Sequence, residues 1–245
     1  LNSLECHDIM CKIGEVVVVG GVRRSAMISL SNLSDGRMAH AKSGSWWENE
    51  GQRALANNSA AYTEKPDMET FIREWLALVE SKSGERGIFS RNAADKHIER
   101  NGRRETGHEW GTNPCSEIIL RPYQFCNLTE VVVRDTDDLQ TLKRKVRLAT
   151  ILGTAQSTFT KMPYLRKIWQ KNTEEERLLG VSLTGIMDNS VLSKNVDSKV
   201  WLQKLKEHAI DTNIIYADKL GVTPSTAITC VKPSGTVSQL VDSAS

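Results

Sequence analysis

Hydrophobic positions recur with helical spacing in three stretches of the chain. Residues 66–81 carry apolar side chains every three or four positions, with Pro66 at the start, which predicts an amphipathic helix. The same spacing predicts helices over residues 138–158 and 198–219, the second stopped by Gly221.

Short apolar runs between these helices predict buried strands. The runs cover residues 15–19, 26–30, 131–133, 178–183 and 227–231. Strands that alternate with helices of this length indicate an α/β fold with much parallel sheet. The visible strands are enough for a half barrel and too few to close a barrel. No repeat or linker marks a domain boundary, so residues 1–245 are interpreted as one segment.

Composition excludes several classes of function. Hydrophobic residues make up 39% of the chain and charged residues 25%, as in ordinary globular proteins. The net charge of +2 provides no general basic field for nucleic acid or a membrane surface. No apolar run approaches the ~20 residues of a membrane span, and the first residues do not form a secretory signal. We therefore expect a cytoplasmic protein with neither nucleic acid nor membrane as partner.

Cysteine usage agrees with a reducing compartment. The five cysteines include no Cys-x-x-Cys pair and are an odd number for a disulfide framework. Cys6 and Cys11 fall on a predicted short helix and Cys230 ends a predicted strand. All three are interpreted as packing residues.

The segment Asn113-Pro114-Cys115-Ser116-Glu117 combines an amide, a thiol and a carboxylate. Asn and Pro favour a turn, so we expect Cys115 on a loop. A nearby carboxylate disfavours a thiolate, whereas hydrogen-atom chemistry needs no thiolate and leaves Glu117 free to act as a base. The alternative is a structural cysteine buried in a polar turn. Cys126 precedes a predicted strand and could approach Cys115, but their spacing specifies no metal site.

Asn-Pro-Cys-x-Glu followed by Cys-Asn-Leu-x-Glu-Val resembles the active-site region of ribonucleotide reductases, especially the adenosylcobalamin-dependent class. Further segments agree in the family's order. They are Gly20-Gly21-Val22-Arg23-Arg24-Ser25-Ala26, Ala56-Asn57-Asn58-Ser59, Gly180-Val181-Ser182-Leu183-Thr184-Gly185 and Pro233-Ser234-Gly235-Thr236. The resemblance implies part of a ten-stranded α/β barrel of the ribonucleotide reductase and glycyl-radical type, with an inner finger loop.

The resemblance also implies roles for individual residues. Cys115 would carry the thiyl radical that removes the 3′ hydrogen of a ribonucleotide, Glu117 would take the proton of the 3′ hydroxyl, and Asn113 would hold the sugar. Cys126 would be one of the two cysteines that deliver electrons and end as a disulfide. Adenosylcobalamin would be the cofactor, a deoxynucleoside triphosphate the effector, and a thioredoxin-like protein the reductant.

Two further segments have an implied role and a plainer alternative. Pro233, Ser234, Gly235 and Thr236 would hold substrate phosphates, with Ser59 on the substrate side, although such a turn is often only a turn. Gly20, Gly21, Arg23 and Arg24 would link the effector site to the substrate; without the resemblance they indicate a surface turn with solvated arginines.

The sequence departs from the family pattern in two respects. Ser116 stands where the family usually has glycine, which places a side chain in a crowded position and is also compatible with a splice junction. The chain is also shorter than the reductases it resembles, so we expect it to be active only with a complementary segment that supplies the other redox cysteine. The alternative function is a nucleotide-binding or assembly fragment without catalytic activity.

Overall fold

The computed structural model describes residues 1–19, 22–23, 25–193 and 196–244. The chain divides into two compact units. Unit 1 comprises Leu1–Arg100 and Thr106–Ile119, and unit 2 comprises Asn101–Glu105 and Leu120–Ser245. The expectation that residues 1–245 form a single barrel segment stays a prediction.

Unit 1 contains a parallel three-stranded sheet with β4 at its centre. The strands are β3 (Met27–Ser31), β4 (Ala56–Tyr62) and β5 (Gly87–Ser90). The helices are α1 (Ser3–Glu15), α2 (Gly36–Ala39), α3 (Trp46–Asn49), α4 (Met68–Ser81) and α5 (Arg91–Asn101). Two further sheets each have two short strands: β1 (Val18–Val19) pairs with β2 (Val22–Arg23), and β6 (Gly111–Thr112) pairs with β7 (Ile119–Leu120).

The predicted strand over residues 15–19 is confirmed only at Val18–Val19, which form β1; its first residue lies in helix α1 and Val16 caps that helix. Asn2 and Glu5 form a capping box, each side chain bonded to the other's backbone N–H, and the helix they start runs through Glu15. Val16 caps its end and is 81% exposed. Cys6 on the same helix is exposed, so its interpretation as a packing residue is wrong, whereas Cys11 is fully buried as predicted.

The predicted helix over residues 66–81 is confirmed as α4. It begins one residue after Asp67, whose carboxylate accepts the backbone N–H of Thr70. Its apolar side is largely uncovered, and more than half of the surface of several side chains is exposed: Met68, Ile72, Trp75, Leu76 and Val79. An apolar stripe of this kind is a candidate contact surface for another polypeptide.

Unit 2 pairs β8 (Asn127–Val132) in parallel with β9 (Leu179–Thr184). Its helices are α6 (Leu139–Gln156), α7 (Lys167–Glu176), α8 (Ser198–Leu220) and α9 (Val237–Leu240). The predicted strands over residues 131–133 and 178–183 are thus confirmed, as are the helices matching α6 and α8. The predicted strand over residues 227–231 is reduced to one bridge between Val181 and Thr229 among the described residues.

The core of unit 2 lies between the sheet and helices α6 and α8. Val131, Leu142, Val146, Leu179 and Leu205 are all at most 4% exposed and belong to one cluster. Each of these helices buries one side against the sheet, so its apolar residues recur with helical spacing. That spacing is why the sequence predicted α6 and α8 correctly.

A buried ion pair also holds unit 2 together. Arg104 donates two hydrogen bonds to the Glu176 carboxylate, at 2.8 and 2.7 Å, and both side chains are at most 7% exposed. Burial raises the pKa of Glu176, but hydrogen bonds and charge from Arg104, with Gln124 and Arg121, outweigh it and lower the pKa. Glu176 therefore stays ionised in the interior.

Candidate active site

Cys115 lies at a tight turn of unit 1, as the sequence predicts. The backbone N–H of Ser116 donates to the carbonyl oxygen of Asn113 at 2.9 Å, which closes a four-residue turn with Pro114 and Cys115 at its centre. Proline fixes the backbone angle that the second position of such a turn requires. Cys115 is exposed, so the alternative of a buried structural cysteine is wrong.

Asn113 closes the wider loop of residues 113–118, called the thiol loop below. Its side-chain oxygen accepts the backbone N–H of Ile118 at 3.0 Å, and its own backbone N–H donates to the Ile118 carbonyl at 3.3 Å. The amide oxygen is thus used by the loop itself. The amide nitrogen is the group of Asn113 that remains to hold a sugar hydroxyl.

Glu117 is partly buried in the same loop. Its Oε2 atom is shielded from solvent and accepts no hydrogen bond from any described residue. A buried carboxylate oxygen without a partner is costly unless a ligand provides a donor. A hydroxyl group brought to this loop would supply that donor.

Ser116 has a left-handed backbone conformation, with φ at +62°. This region is strained for residues with a Cβ atom and natural for glycine. The position where the family usually has glycine is thus one where this backbone favours glycine. The serine side chain is exposed.

Strand β4 contacts the thiol loop directly. The Asn57 side-chain nitrogen donates to the carbonyl oxygen of Pro114 at 2.6 Å. Ser59 lies two residues along, half-buried, and pairs in register with Gly87. Asn57 belongs to the segment that resembles the family, but nothing in the sequence marked its contact with Pro114. The sequence does place two adjacent asparagines at the start of a strand. Asparagine is depleted in strands, so this pair could have indicated a role other than strand formation.

Other predicted residues lie in unit 2. Cys126 immediately precedes β8 and is partly buried. Cys115 and Cys126 are therefore in different units, and their approach to each other stays a prediction.

Residues Gly20, Gly21 and Arg24 lie outside the described residues, and the backbone of Arg23 is in β2.

The predicted phosphate turn precedes the short helix α9. The backbone N–H of Val237 donates to the Ser234 carbonyl at 3.0 Å, and Gly235 has φ at +56°. The Ser234 hydroxyl is buried and has no hydrogen-bond partner among the described residues. Its phosphate-binding role, and that of Pro233 and Thr236, stays a prediction.

Glu130, in the middle of β8, is an ionisable residue of unit 2 that sequence reasoning left unassigned. Burial raises its pKa, although the charge of Lys232 opposes this.

Within the described ranges, no three His, Cys, Asp or Glu side chains cluster as a metal site would require. No helix there is long and apolar enough to cross a membrane.

No family model matches the chain, but individual proteins do. It is 31% identical to the adenosylcobalamin-dependent ribonucleoside-triphosphate reductase of Lacticaseibacillus paracasei, over 98% of this chain and 35% of the relative. It is 30% identical to the protein of that name from Lactobacillus acidophilus, with the same coverage. The chain thus spans about a third of the length of these curated relatives.

A solved structure of a B12-dependent (class II) ribonucleotide reductase matches the fold. The TM-score is 0.73 at 22% identity, over 100% of this chain and 36% of that one. The fold is therefore that of a ribonucleotide reductase segment, and the predicted partial α/β barrel is confirmed at this level. In sequence and in fold, the chain is therefore similar to a segment of the adenosylcobalamin-dependent ribonucleotide reductases.

Proposed function

We propose that this chain forms the thiol-bearing part of an enzyme that reduces ribonucleotides to 2′-deoxyribonucleotides. The single observation that carries the proposal is the construction of the thiol loop. Its turn presents the Cys115 sulfur to solvent, while Glu117 keeps a buried carboxylate oxygen that has no hydrogen-bond partner in the described part of the chain. A nucleotide-binding fragment without catalytic activity has no physical need for this combination.

In the proposed reaction, each residue of the loop has a separate task. The Cys115 sulfur, as a radical, removes the hydrogen atom from the 3′ carbon of the ribose and returns one after reduction. Glu117 takes the proton of the 3′ hydroxyl, and the Asn113 amide nitrogen donates a hydrogen bond to the sugar. Cys126 and a second cysteine supply two electrons and two protons, so the 2′ hydroxyl leaves as water and a disulfide forms.

Adenosylcobalamin is the proposed cofactor, because the relatives are named for it. The residues present fit this group. Cys115 is exposed, so its sulfur is accessible to a cofactor bound beside the thiol loop. When bound, the cofactor supplies a weak cobalt–carbon bond as the source of radical character.

The remaining partners are part of the same proposal. The substrate is a ribonucleoside triphosphate, the substrate class in the relatives' names, with its phosphates at residues 233–236 and Ser59 on the substrate side. A deoxynucleoside triphosphate is the effector, acting through the loop that contains Gly20, Gly21, Arg23 and Arg24. A thioredoxin-like protein reduces the disulfide, and the assembly works in the cytoplasm.

A complementary reductase segment is proposed to pack against this chain. The exposed apolar side of α4 offers a surface that such a segment could cover. β8 also has an edge that pairs with no strand among the described residues, and an open strand edge can accept a further strand.

A chimaera tests the proposed function. These 245 residues replace the matching segment of the L. paracasei reductase, and deoxyribonucleotide formation is measured with and without adenosylcobalamin. We expect product only with the cofactor, and none after Cys115→Ala, although nucleotide affinity is retained. A folded chimaera that binds nucleotide but makes no product would favour the non-catalytic fragment.

A further inference from the structure

The first residues of β4 are anchored on their buried side. Asn58 is 2% exposed, and its side-chain oxygen lies 3.0 Å from His7 Nε2 of α1. Its backbone N–H donates to Glu85 Oε2 at 3.1 Å, and the Glu85 carboxylate also pairs with Lys42 at 3.0 Å. The backbone at this point of the strand is therefore held from two directions.

Asn57 faces the opposite way, because successive side chains alternate along a strand. It is exposed, yet its side-chain nitrogen reaches the Pro114 carbonyl oxygen at 2.6 Å. That oxygen belongs to the peptide group that joins Pro114 to Cys115. A hydrogen bond to it fixes the plane from which the Cys115 side chain projects.

We propose that Asn57 is a positioning residue for the Cys115 thiol. A strand anchored through Asn58 provides a rigid base, and Asn57 extends from that base to hold the turn by its backbone. The catalytic meaning of this contact rests on the proposed function. The contact itself does not, so it can be tested without turnover.

Positioning matters most for a thiol that exchanges a hydrogen atom with a particular carbon. Atom transfer requires the donor and acceptor at close range and in alignment, so a small displacement of the reacting group is costly. Asn113 closes the loop at its base, whereas Asn57 acts at the turn itself. The two side chains therefore hold different parts of the loop.

Amide hydrogen exchange in the 245-residue chain tests the contact. The Ser116 N–H closes the turn and reports its opening. With Asn57→Ala we expect exchange at Ser116 to accelerate about fivefold, the population change typical for loss of one hydrogen bond. Asn57→Asp should accelerate it at least as much, since a carboxylate opposes the carbonyl oxygen. Asn92→Ala, an exposed asparagine on α5, is the matched control and should change nothing.

Activity in the chimaera separates positioning from substrate binding. With Asn57→Ala we expect kcat to fall about tenfold or more while KM for the nucleotide stays the same. Unchanged exchange at Ser116 would overturn the proposal, and so would a rise in KM with kcat intact, because Asn57 would then bind substrate. An inactive parent chimaera would count against the proposed function, whereas the exchange result would still decide the role of Asn57.

Discussion

The side-chain oxygen of Asn113 accepts the backbone N–H of Ile118 at 3.0 Å, across the loop that carries Cys115. The amide group thus has two ends with separate tasks, an oxygen for the loop and a nitrogen proposed for the sugar. Asn113→Asp keeps an acceptor for Ile118 but loses the donor. We expect it to preserve protection of the Ile118 amide from exchange while kcat/KM in the chimaera falls about 10²-fold.

Asn113→Ala removes both ends and serves as the comparison. Exchange at Ile118 should accelerate in this variant only. If the Asp variant lost protection as fully as the Ala variant, the division of tasks within the amide would be wrong.

Ser116 stores strain that glycine would relieve. A φ of +62° costs a residue with a side chain about 1–2 kcal/mol in the folded state. Glycine avoids this cost, but it also increases the conformational entropy of the unfolded chain, which offsets part of the stabilisation. We expect Ser116→Gly to raise the free energy of unfolding by about 0.5–1 kcal/mol in urea titrations.

Ser34→Gly is the control for Ser116. Ser34 is exposed in a turn and lacks a positive φ, so its replacement should leave stability unchanged or lower it. Equal effects at the two positions would show that the backbone conformation of Ser116 is not strained.

The Arg104–Glu176 pair predicts a large stability effect. Arg104→Met leaves a buried carboxylate without its main partner, which typically costs about 3–5 kcal/mol. We expect a loss of that size in the free energy of unfolding, and partial recovery when Glu176→Gln is added. Arg73→Met is the control, because Arg73 and Glu69 form an exposed pair in α4 worth about 0.5 kcal/mol or less. A loss at Arg104 as small as at Arg73 would contradict the buried pair.

Cys11 makes stability depend on pH at the alkaline end. Burial, with the charge of Asp8, raises its pKa from 9.0 to about 11. The folded state therefore holds this proton more tightly than the unfolded state, so the contribution is complete below pH 9 and is lost as the pH rises towards 11. The stability difference between the parent and Cys11→Ala should shrink across this interval.

Unfolding at pH 8, 9, 10 and 11 measures the Cys11 effect. Comparing the two proteins at each pH cancels the contributions of ionisable groups that do not interact with Cys11. Cys6→Ala on the same helix removes an exposed cysteine and should give no such trend. A constant difference for Cys11→Ala would mean that the thiol ionises as readily in the folded state.

The sequence predicted the elements of unit 2 better than those of unit 1. Helices α6 and α8 cover the sheet with one apolar side, and that periodicity is visible in the chain. The β-branched residues 16–19 predict a strand that begins earlier than β1 does, because the helix that starts at the Asn2 capping box runs through Glu15. Helix α5 buries only Ala94 and Ile98, too few apolar positions to give a pattern.

The thiol loop was predicted because its chemistry is local. Asn113, Cys115 and Glu117 lie within five residues, and Pro114 between them indicates a turn. The contact between Asn57 and Pro114 joins residues 57 positions apart, and no local pattern records such a pairing. Hydrogen bonds between distant segments need the fold to bring the strand and the loop together.

A ribonucleotide that carries deuterium at the 3′ carbon tests the central claim most directly. In the chimaera, we expect slower turnover with the deuterated substrate than with the ordinary one. Cys115→Ser should bind nucleotide with unchanged affinity and form no deoxyribonucleotide. Product formation by Cys115→Ser at the parent's rate would contradict the account, because the hydrogen at the 3′ carbon would then be removed without this sulfur.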